Sequence, residues 1–437
     1  MVVGLPRALA RRRGASDPPW PRSVGAGVAV ALLCACAVAT AAETPAPPAR
    51  TYYVYAAAES DDEVAIVRYG PNGLEVVDTI TVGSFPAEVE GPHGLTVDPD
   101  GRYWYVSISH GFPYGSVHKY ETETNAWVGD VVLGLFPATL DVSQTTGLLY
   151  AVNFNLHGPL EPSSISVVEV ETMIEVARVE TGIRPHGGRL SPDGSSFYSV
   201  NMMDFELVEL NAFSFALTRT LSLGPGVMPT WVTRPTPDGT VYVTGNNVAK
   251  IFEVDLASWA VRRTFETGAG PYNLDITSDG TMLVATYKGG DAVGFWDLRS
   301  GTETARTATS RTIPHGVTVT PDGEYAFVTL EGVGADPGTV EVYHVATGAR
   351  VGAVDIGKQA GGIAFWKMED SRAPGDAAQA RDNARPAATE WGTRGPRGVA
   401  AWGSGRSPVS VPVKQAGGIA FWKMEDSRAP GDAAQAR

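Results

Sequence analysis

Residues 185–201 read PHGGRLSPDGSSFYSVN, and this stretch decides the fold. Two short runs of alternating strand-forming residues flank the turn Pro192-Asp193-Gly194. Proline presets φ, aspartate bonds its own backbone, and glycine accepts positive φ, so the turn reverses the chain tightly. The stretch therefore predicts a β-hairpin, with two further strand patterns at residues 206–210 and 217–221.

The same pattern occurs seven times along the chain. Successive copies begin 42 to 48 residues apart, and five of them carry the Asp-Gly pair. A period of this length, with four short strands in each copy, is typical of propeller blades. The seven copies begin at Pro92, Pro137, Pro185, Pro229, Pro271, Pro314 and Ala360.

The last copy contains only its inner strand, Gly361–Trp366, and three unmatched strand patterns lie near the other end of the chain at residues 52–58, 64–69 and 74–82. Pairing the C-terminal strand with these N-terminal strands completes a blade and removes an open sheet edge. The sequence predicts an all-β fold. It is a seven-bladed β-propeller of four-stranded antiparallel blades over residues 51–368, closed by pairing N-terminal strands with a C-terminal strand.

Three second strands resemble a known repeat. Tyr150-Ala151-Val152-Asn153, Tyr198-Ser199-Val200-Asn201 and Tyr242-Val243-Thr244-Gly245-Asn246 are similar to the YVTN repeats of bacterial YncE-like propellers. The resemblance covers residues 51–366 and implies a secreted or periplasmic binding module related to WD-repeat-like propellers. Lactonases and quinoprotein dehydrogenase subunits have similar repeats, so the fold alone does not choose among these functions.

The two ends of the chain differ from the repeats. Residues 1–41 combine arginines, an apolar run and a small-residue cleavage site, which predicts an export signal and a periplasmic or extracellular protein. An uncleaved anchor, or lipidation at Cys36, is the alternative. Residues 42–50 form a short linker. Residues 369–437 are expected to be a disordered tail, in which Lys358–Arg381 recurs as Lys414–Arg437.

The positions of the cysteines and the net charge exclude some classes of functional site. Both cysteines, Cys34 and Cys36, fall within the predicted signal, so a mature chain has no thiolate site. The net charge is −14, and the first 41 residues contribute five arginines against one aspartate, so the remainder is still more acidic. This composition excludes an electrostatic nucleic-acid surface. We expect a small molecule or a protein as partner, and no membrane span in the mature chain.

A candidate site follows from the second residue of each copy, because these residues converge around the central channel. His93, His186 and His315 occupy this position in blades one, three and six. Three imidazoles with an open position can bind a transition metal, so these histidines are candidate metal ligands. The alternative is that each histidine only bonds the backbone of a neighbouring blade.

Further polar residues are expected at the same channel mouth, and no residue is assigned a catalytic role. The favoured function is an exported, non-catalytic binding propeller with its site at this mouth. The alternative is a His-ligated metal-dependent oxidoreductase or a lactonase-like hydrolase, the latter with Glu331, Asn273 and Asn153 as cation ligands. The other candidate ligand-binding residues are Thr230, Tyr272, Asn273, His110, Asn153, Asn201 and Asn246.

Overall fold

A computed structural model describes residues 47–85, 87–110 and 115–370. Its strands run from Arg50 to Asp370, close to the predicted range of 51–368. The predicted export signal, most of the linker and nearly all of the predicted tail lie outside the described residues. Within the described part of the chain, no helix is long and apolar enough to cross a membrane.

The described residues form strands and two short 3-10 turns, Glu59–Asp61 and Asn246–Val248. The N-terminal strands are β1 (Arg50–Ala58), β2 (Glu63–Gly70) and β3 (Gly73–Thr81). Blades one and two contain β4 (Pro92–Val97), β5 (Tyr103–Ile108), β6 (Ser116–Glu121), β7 (Trp127–Val132), β8 (Pro137–Val142), β9 (Leu148–Asn153), β10 (Pro162–Glu169) and β11 (Ile174–Ile183). Blades three and four contain β12 (Pro185–Leu190), β13 (Ser196–Asn201), β14 (Glu206–Asn211), β15 (Leu217–Ser222), β16 (Thr240–Gly245), β17 (Lys250–Asp255) and β18 (Ala260–Glu266). Blades five and six contain β19 (Pro271–Ile276), β20 (Met282–Tyr287), β21 (Ala292–Asp297), β22 (Thr302–Ala308), β23 (Pro314–Val319), β24 (Tyr325–Leu330), β25 (Thr339–His344) and β26 (Ala349–Asp355), and the last strand is β27 (Ala360–Asp370).

The predicted seven-bladed fold is confirmed, with one local difference in blade four. Six sheets have four antiparallel strands, whereas the blade-four sheet has three, and its inner strand is reduced to a bridge between Val232 and Val243. Pro235 interrupts this segment, and proline has no N–H to donate to a ladder. The Thr233 hydroxyl accepts the N–H of Tyr242 at 3.0 Å. A side chain therefore adds a hydrogen bond to a shortened backbone ladder, in which the N–H of Thr233 donates to the carbonyl of Tyr242 at 3.0 Å.

The predicted closure of the ring is also confirmed. The seventh sheet has the order β27-β1-β2-β3, and β27 runs antiparallel to β1 with Tyr55 opposite Ala364. It is the first copy of the duplicated segment that pairs here, and the second copy lies outside the described residues. Gly362 is required in β27, because an added Cβ would lie 1.9 Å from the carbonyl oxygen of His93 in the neighbouring blade.

The core consists of apolar layers between neighbouring blades. Seven clusters of buried side chains each join two adjacent sheets. The cluster between the seventh blade and the first contains Tyr55 and Trp104. The rings of Tyr55 and Trp104 stack with their centroids 4.8 Å apart. The closing blade contributes side chains to two of these layers, and it stabilises the fold because burial of apolar area drives folding. The ring thus holds its inner strands around one channel.

Candidate functional site

The three predicted histidines lie together at one end of the channel. The ring centroid of His93 is 5.2 Å from that of His315 and 6.4 Å from that of His186, and all three side chains are buried. Hydroxyls from neighbouring strands fix two of the backbones, since Thr139 donates to the carbonyl of His186 at 2.7 Å and Thr286 donates to that of His315 at 2.9 Å. Their shared repeat position therefore brings these side chains together. We call the region around His93, His186 and His315 the channel mouth.

Tyr272 joins two of the histidines. Its ring centroid lies 4.8 Å from that of His315, and its hydroxyl lies 2.9 Å from Nε2 of His186. Burial lowers the pKa of His186 to about 3 and raises the pKa of Tyr272 to about 12. At neutral pH the neutral imidazole therefore donates from Nδ1 to the carbonyl of Thr230 at 2.8 Å and accepts the tyrosine proton at Nε2.

Glu59 pairs with the third histidine. Its carboxylate bonds Nδ1 of His93, Nε2 of His110 at 3.2 Å and Nε2 of Gln359 at 2.9 Å. Burial opposes ionisation of Glu59, but His93 and His110 outweigh burial and hold the pKa of this carboxyl well below its usual range. A second link runs outward from Nδ1 of His110 to Nε2 of His157 at 3.0 Å. The carboxylate thus connects the closing blade with blade one.

A second ion pair borders the mouth. Nζ of Lys288 lies 2.7 Å from Oε1 of Glu331 and 4.3 Å from the centroid of the Tyr272 ring. Burial works against the charge on Lys288, but Glu331 outweighs it and raises the lysine pKa above its usual value. Burial lowers the pKa of His315 well below its usual value, and its Nε2 lies 3.8 Å from Glu331. The mouth therefore presents both signs of charge beside neutral imidazoles.

The second-strand ends in the sequence indicate Lys288 and Glu331 as residues that can line this face, whereas Glu59 was not predicted. All three share one repeat position. Each follows the last residue of the second strand in its blade, in blades five, six and seven respectively. Glu59 was missed because its blade is split between the two ends of the sequence. Aligning the N-terminal strands with the other second strands gives the signal that identifies it.

The other predicted residues contribute less directly. Thr230 donates to the carbonyl of Tyr272 at 2.7 Å and so ties blade four to blade five. Asn153 and Asn201 are fully buried and donate within their own blades, to Ser166 and Glu206. Asn246 donates to the carbonyl of Pro271 at 3.2 Å, and Asn273 is buried below the mouth.

A small cavity of about 30 Å³ continues the channel below the histidines. Its lining includes His93, His315, Trp231, Asn273 and Arg189. The guanidinium of Arg189 lies 4.5 Å from the centroid of the Trp231 ring. The cavity therefore has room for about two waters.

The fit of a metal to the three histidines depends on which ring nitrogens are free. Both nitrogens of His186 are engaged, by Thr230 and Tyr272, and Nδ1 of His93 is engaged by Glu59. Among residues 47–85, 87–110 and 115–370, no group of three or more His, Cys, Asp or Glu side chains is arranged to hold a metal ion. The metal centre stays a prediction.

Of the residues considered for a lactonase-type cation, Glu331 is paired with Lys288, and Asn153 is bonded within its own blade. Asn273 lines the cavity, whose lining contains neither Glu331 nor Asn153.

Solved structures share the fold at low sequence identity. Hydrazine synthase from Kuenenia stuttgartiensis aligns with a TM-score of 0.55 and 18% identity, over 65% of this chain and 92% of that one. A Bacteroides fragilis protein provisionally assigned as a 6-phosphogluconolactonase aligns with a TM-score of 0.58 and 14% identity, over 74% and 99%. A Lactobacillus plantarum protein aligns with a TM-score of 0.59 and 14% identity, over 72% and 100%. These likenesses show the fold alone.

The sequence comparison is more specific. No functionally curated protein matches the sequence significantly. A family model described as "YNCE-like beta-propeller" matches residues 122–378, which is more than half of the 437 residues. Together with the seven closed blades, this match shows that the chain belongs to the YNCE-like beta-propeller family.

Proposed function

We propose that this chain is a binding propeller that takes a small polar organic molecule at the channel mouth. The observation that carries the proposal is the convergence of Lys288, Glu331 and Glu59 beside the three histidines and Tyr272. Glu59 is buried, and a charged side chain rarely lies buried without a reason. Perturbed pKa values also concentrate at functional sites. Opposite charges side by side favour a ligand that carries both an acidic and a basic group.

Soaking crystals of the protein with free amino acids, small carboxylic acids and small amines tests this proposal. We expect bound molecules at the mouth within hydrogen-bond distance of Lys288 or Glu331. Bound molecules found only on the blade sides or on the opposite face contradict the proposal.

A triple variant tests the role of the histidines. Replacing His93, His186 and His315 by glutamine removes the imidazoles while keeping polar side chains. We expect calorimetric affinity for the best soaked molecule to fall by about tenfold to a hundredfold, since a hydrogen bond to a charged group contributes about 1.5–3 kcal/mol. His344→Gln is the matched control, because His344 lies on β25 and its Nδ1 contacts Thr347. Equal affinity in the triple variant and this control contradicts a histidine site.

A hydrolase is the second candidate, favoured by the pairing of Glu59 with His93. A carboxylate that holds Nδ1 leaves Nε2 as a general base. In this reaction the oxygen of a water bonds to the carbonyl carbon of an ester or lactone while Nε2 of His93 takes the water proton. The ring then returns that proton to the leaving alkoxide as the C–O bond breaks.

Assays of δ-valerolactone hydrolysis with wild type and Glu59→Gln test this second candidate. A rate above buffer that falls about a hundredfold or more in the variant supports it, because general-base catalysis contributes factors of that order. No hydrolysis above buffer contradicts it for this lactone. Elemental analysis of the same wild-type protein tests the metal-dependent alternative, which predicts a stoichiometric transition metal.

Export belongs to the same proposal. The arginine-rich start, the apolar run and the small residues before position 42 support it. N-terminal sequencing of the protein recovered from its native compartment tests it, and a mature chain that begins near Ala42 is the expected result.

A further inference from the structure

Three residues that line the channel cavity carry buried polar atoms without a partner. Within the described residues, Nε1 of Trp231, Oδ1 of Asn273 and Nδ1 of His315 have no hydrogen-bond acceptor or donor. Each of these residues is at most 7% exposed. An unpaired buried polar atom costs about 1–3 kcal/mol, so three around one cavity indicate that the cavity is built to receive a hydrogen-bonding partner.

The repeat explains why the cavity lies where it does. Trp231 and Asn273 are the third residues of their copies of the repeat, counted from Pro229 and Pro271. Glycine occupies the third position in four other copies. Glycine is needed there because the inner strands approach closely, and a Cβ on Gly187 would lie 2.6 Å from the Cα of Trp231. Blades four and five thus depart from the pattern with large polar side chains.

The atoms themselves define the ligand chemistry. The indole N–H of Trp231 only donates, and the amide oxygen of Asn273 only accepts. A cation would be repelled by the indole N–H and by the guanidinium of Arg189, whereas an anion would be repelled by the amide oxygen. A neutral molecule with one acceptor and one donor satisfies both, and Nδ1 of His315 can serve either role.

We propose that the channel cavity binds a small uncharged molecule of the primary amide or alcohol class, held by Trp231, Asn273 and His315. The cavity of about 30 Å³ admits about two waters, which corresponds to a ligand of about three heavy atoms. The inference goes beyond the proposed function, because it assigns a second class of ligand to the cavity beneath the mouth.

Formamide is the probe, with nuclear magnetic resonance of the full chain labelled with ¹⁵N in the indole ring as the measurement. We expect the indole N–H signal of Trp231 to shift saturably with formamide, and Trp231→Phe assigns the signal. Trp104 and Trp259 are internal controls, because their Nε1 atoms also lack a partner among the described residues but neither ring lines the cavity. Their signals should not follow the saturable curve.

Two comparisons make the result specific. Asn273→Leu removes the acceptor at similar size, and we expect it to weaken formamide binding about tenfold. Acetonitrile has the same number of heavy atoms but no donor, so wild-type protein should bind it at least about tenfold more weakly. This second comparison needs no variant.

Several results overturn the inference: a linear shift of equal slope at Trp231, Trp104 and Trp259, equal affinity for acetonitrile, or saturable shifts with millimolar chloride or Zn²⁺. Failure of the proposed function is distinguishable, since the crystal soaks then place no molecule at Lys288 and Glu331. The formamide titration depends on neither of these side chains.

Discussion

A chain that ends at Gln359 is expected to lose cooperative unfolding, because it lacks the closing strand Ala360–Asp370. β1 then exposes an unpaired edge, and the apolar layers on both sides of blade seven open. We expect a loss of more than about 5 kcal/mol, which is comparable to the whole free energy of unfolding of a typical domain. Thermal unfolding followed by circular dichroism is the measurement.

The matched control is a chain that ends at Asp370. It keeps the closing strand and removes the second copy of the duplicated segment, so its melting temperature should equal that of the full chain. A cooperative transition of unchanged midpoint in the chain that ends at Gln359 contradicts closure through this strand. A lower midpoint in the control shows that residues after Asp370 also stabilise the propeller.

Glu59→Ala is expected to be the most destabilising single change at the channel mouth. It leaves His93, His110 and Gln359 without their shared acceptor in a buried position. Removing one partner of a buried pair costs about 3–5 kcal/mol, and chemical denaturation measures the change. Glu75→Ala is the control in the same blade, because Glu75 forms an exposed pair with Arg68 whose loss costs less than about 1 kcal/mol.

The dependence of this effect on pH follows from the lowered pKa of Glu59. The carboxylate contributes stability that is fully present above its ordinary pKa of 4.5 and is lost as pH falls toward the lower folded value. His186 adds a loss that begins at higher pH, since its folded pKa of about 3 lies below the ordinary 6.5 and the unfolded chain binds the proton first.

Glu59→Gln separates these contributions. The difference in unfolding free energy between wild type and this variant should shrink as pH falls below 4.5, while both proteins keep the loss that His186 causes. Denaturant titrations between pH 3 and pH 7 measure it. A difference that stays constant over this range contradicts an ionised Glu59.

The blade count could be predicted because it rests on local turn chemistry, and the closure because one unmatched strand at the C-terminal end answers three at the N-terminal end. Each Asp-Gly pair marks one hairpin independently of the others, and Gly194 indeed has a φ of 70°. The inner strand of blade four could not be predicted as a single bridge. Its repeat spacing is regular, but Pro235 and the Thr233 hydroxyl change which groups supply the hydrogen bonds.

The sequence could predict the location of the candidate site but not the hydrogen bonds within it. Repeat position brings His93, His186 and His315 to one end of the channel, but it does not tell which ring nitrogens are already bonded. That depends on neighbours from other blades, such as Tyr272 and Glu59. The cavity was missed for a related reason, since unpaired atoms become visible only when every nearby partner is known.

The pairing of the first strand with the last has a consequence for synthesis on the ribosome. Arg50 and Asp370 bond across the closing blade although 320 residues separate them in the sequence. β1 emerges early and must wait, with its edge unpaired, until almost the whole propeller has been translated. A chaperone that shields strand edges is therefore most useful during that interval, and a ribosome that stalls before Ala360 leaves a nascent chain prone to aggregation.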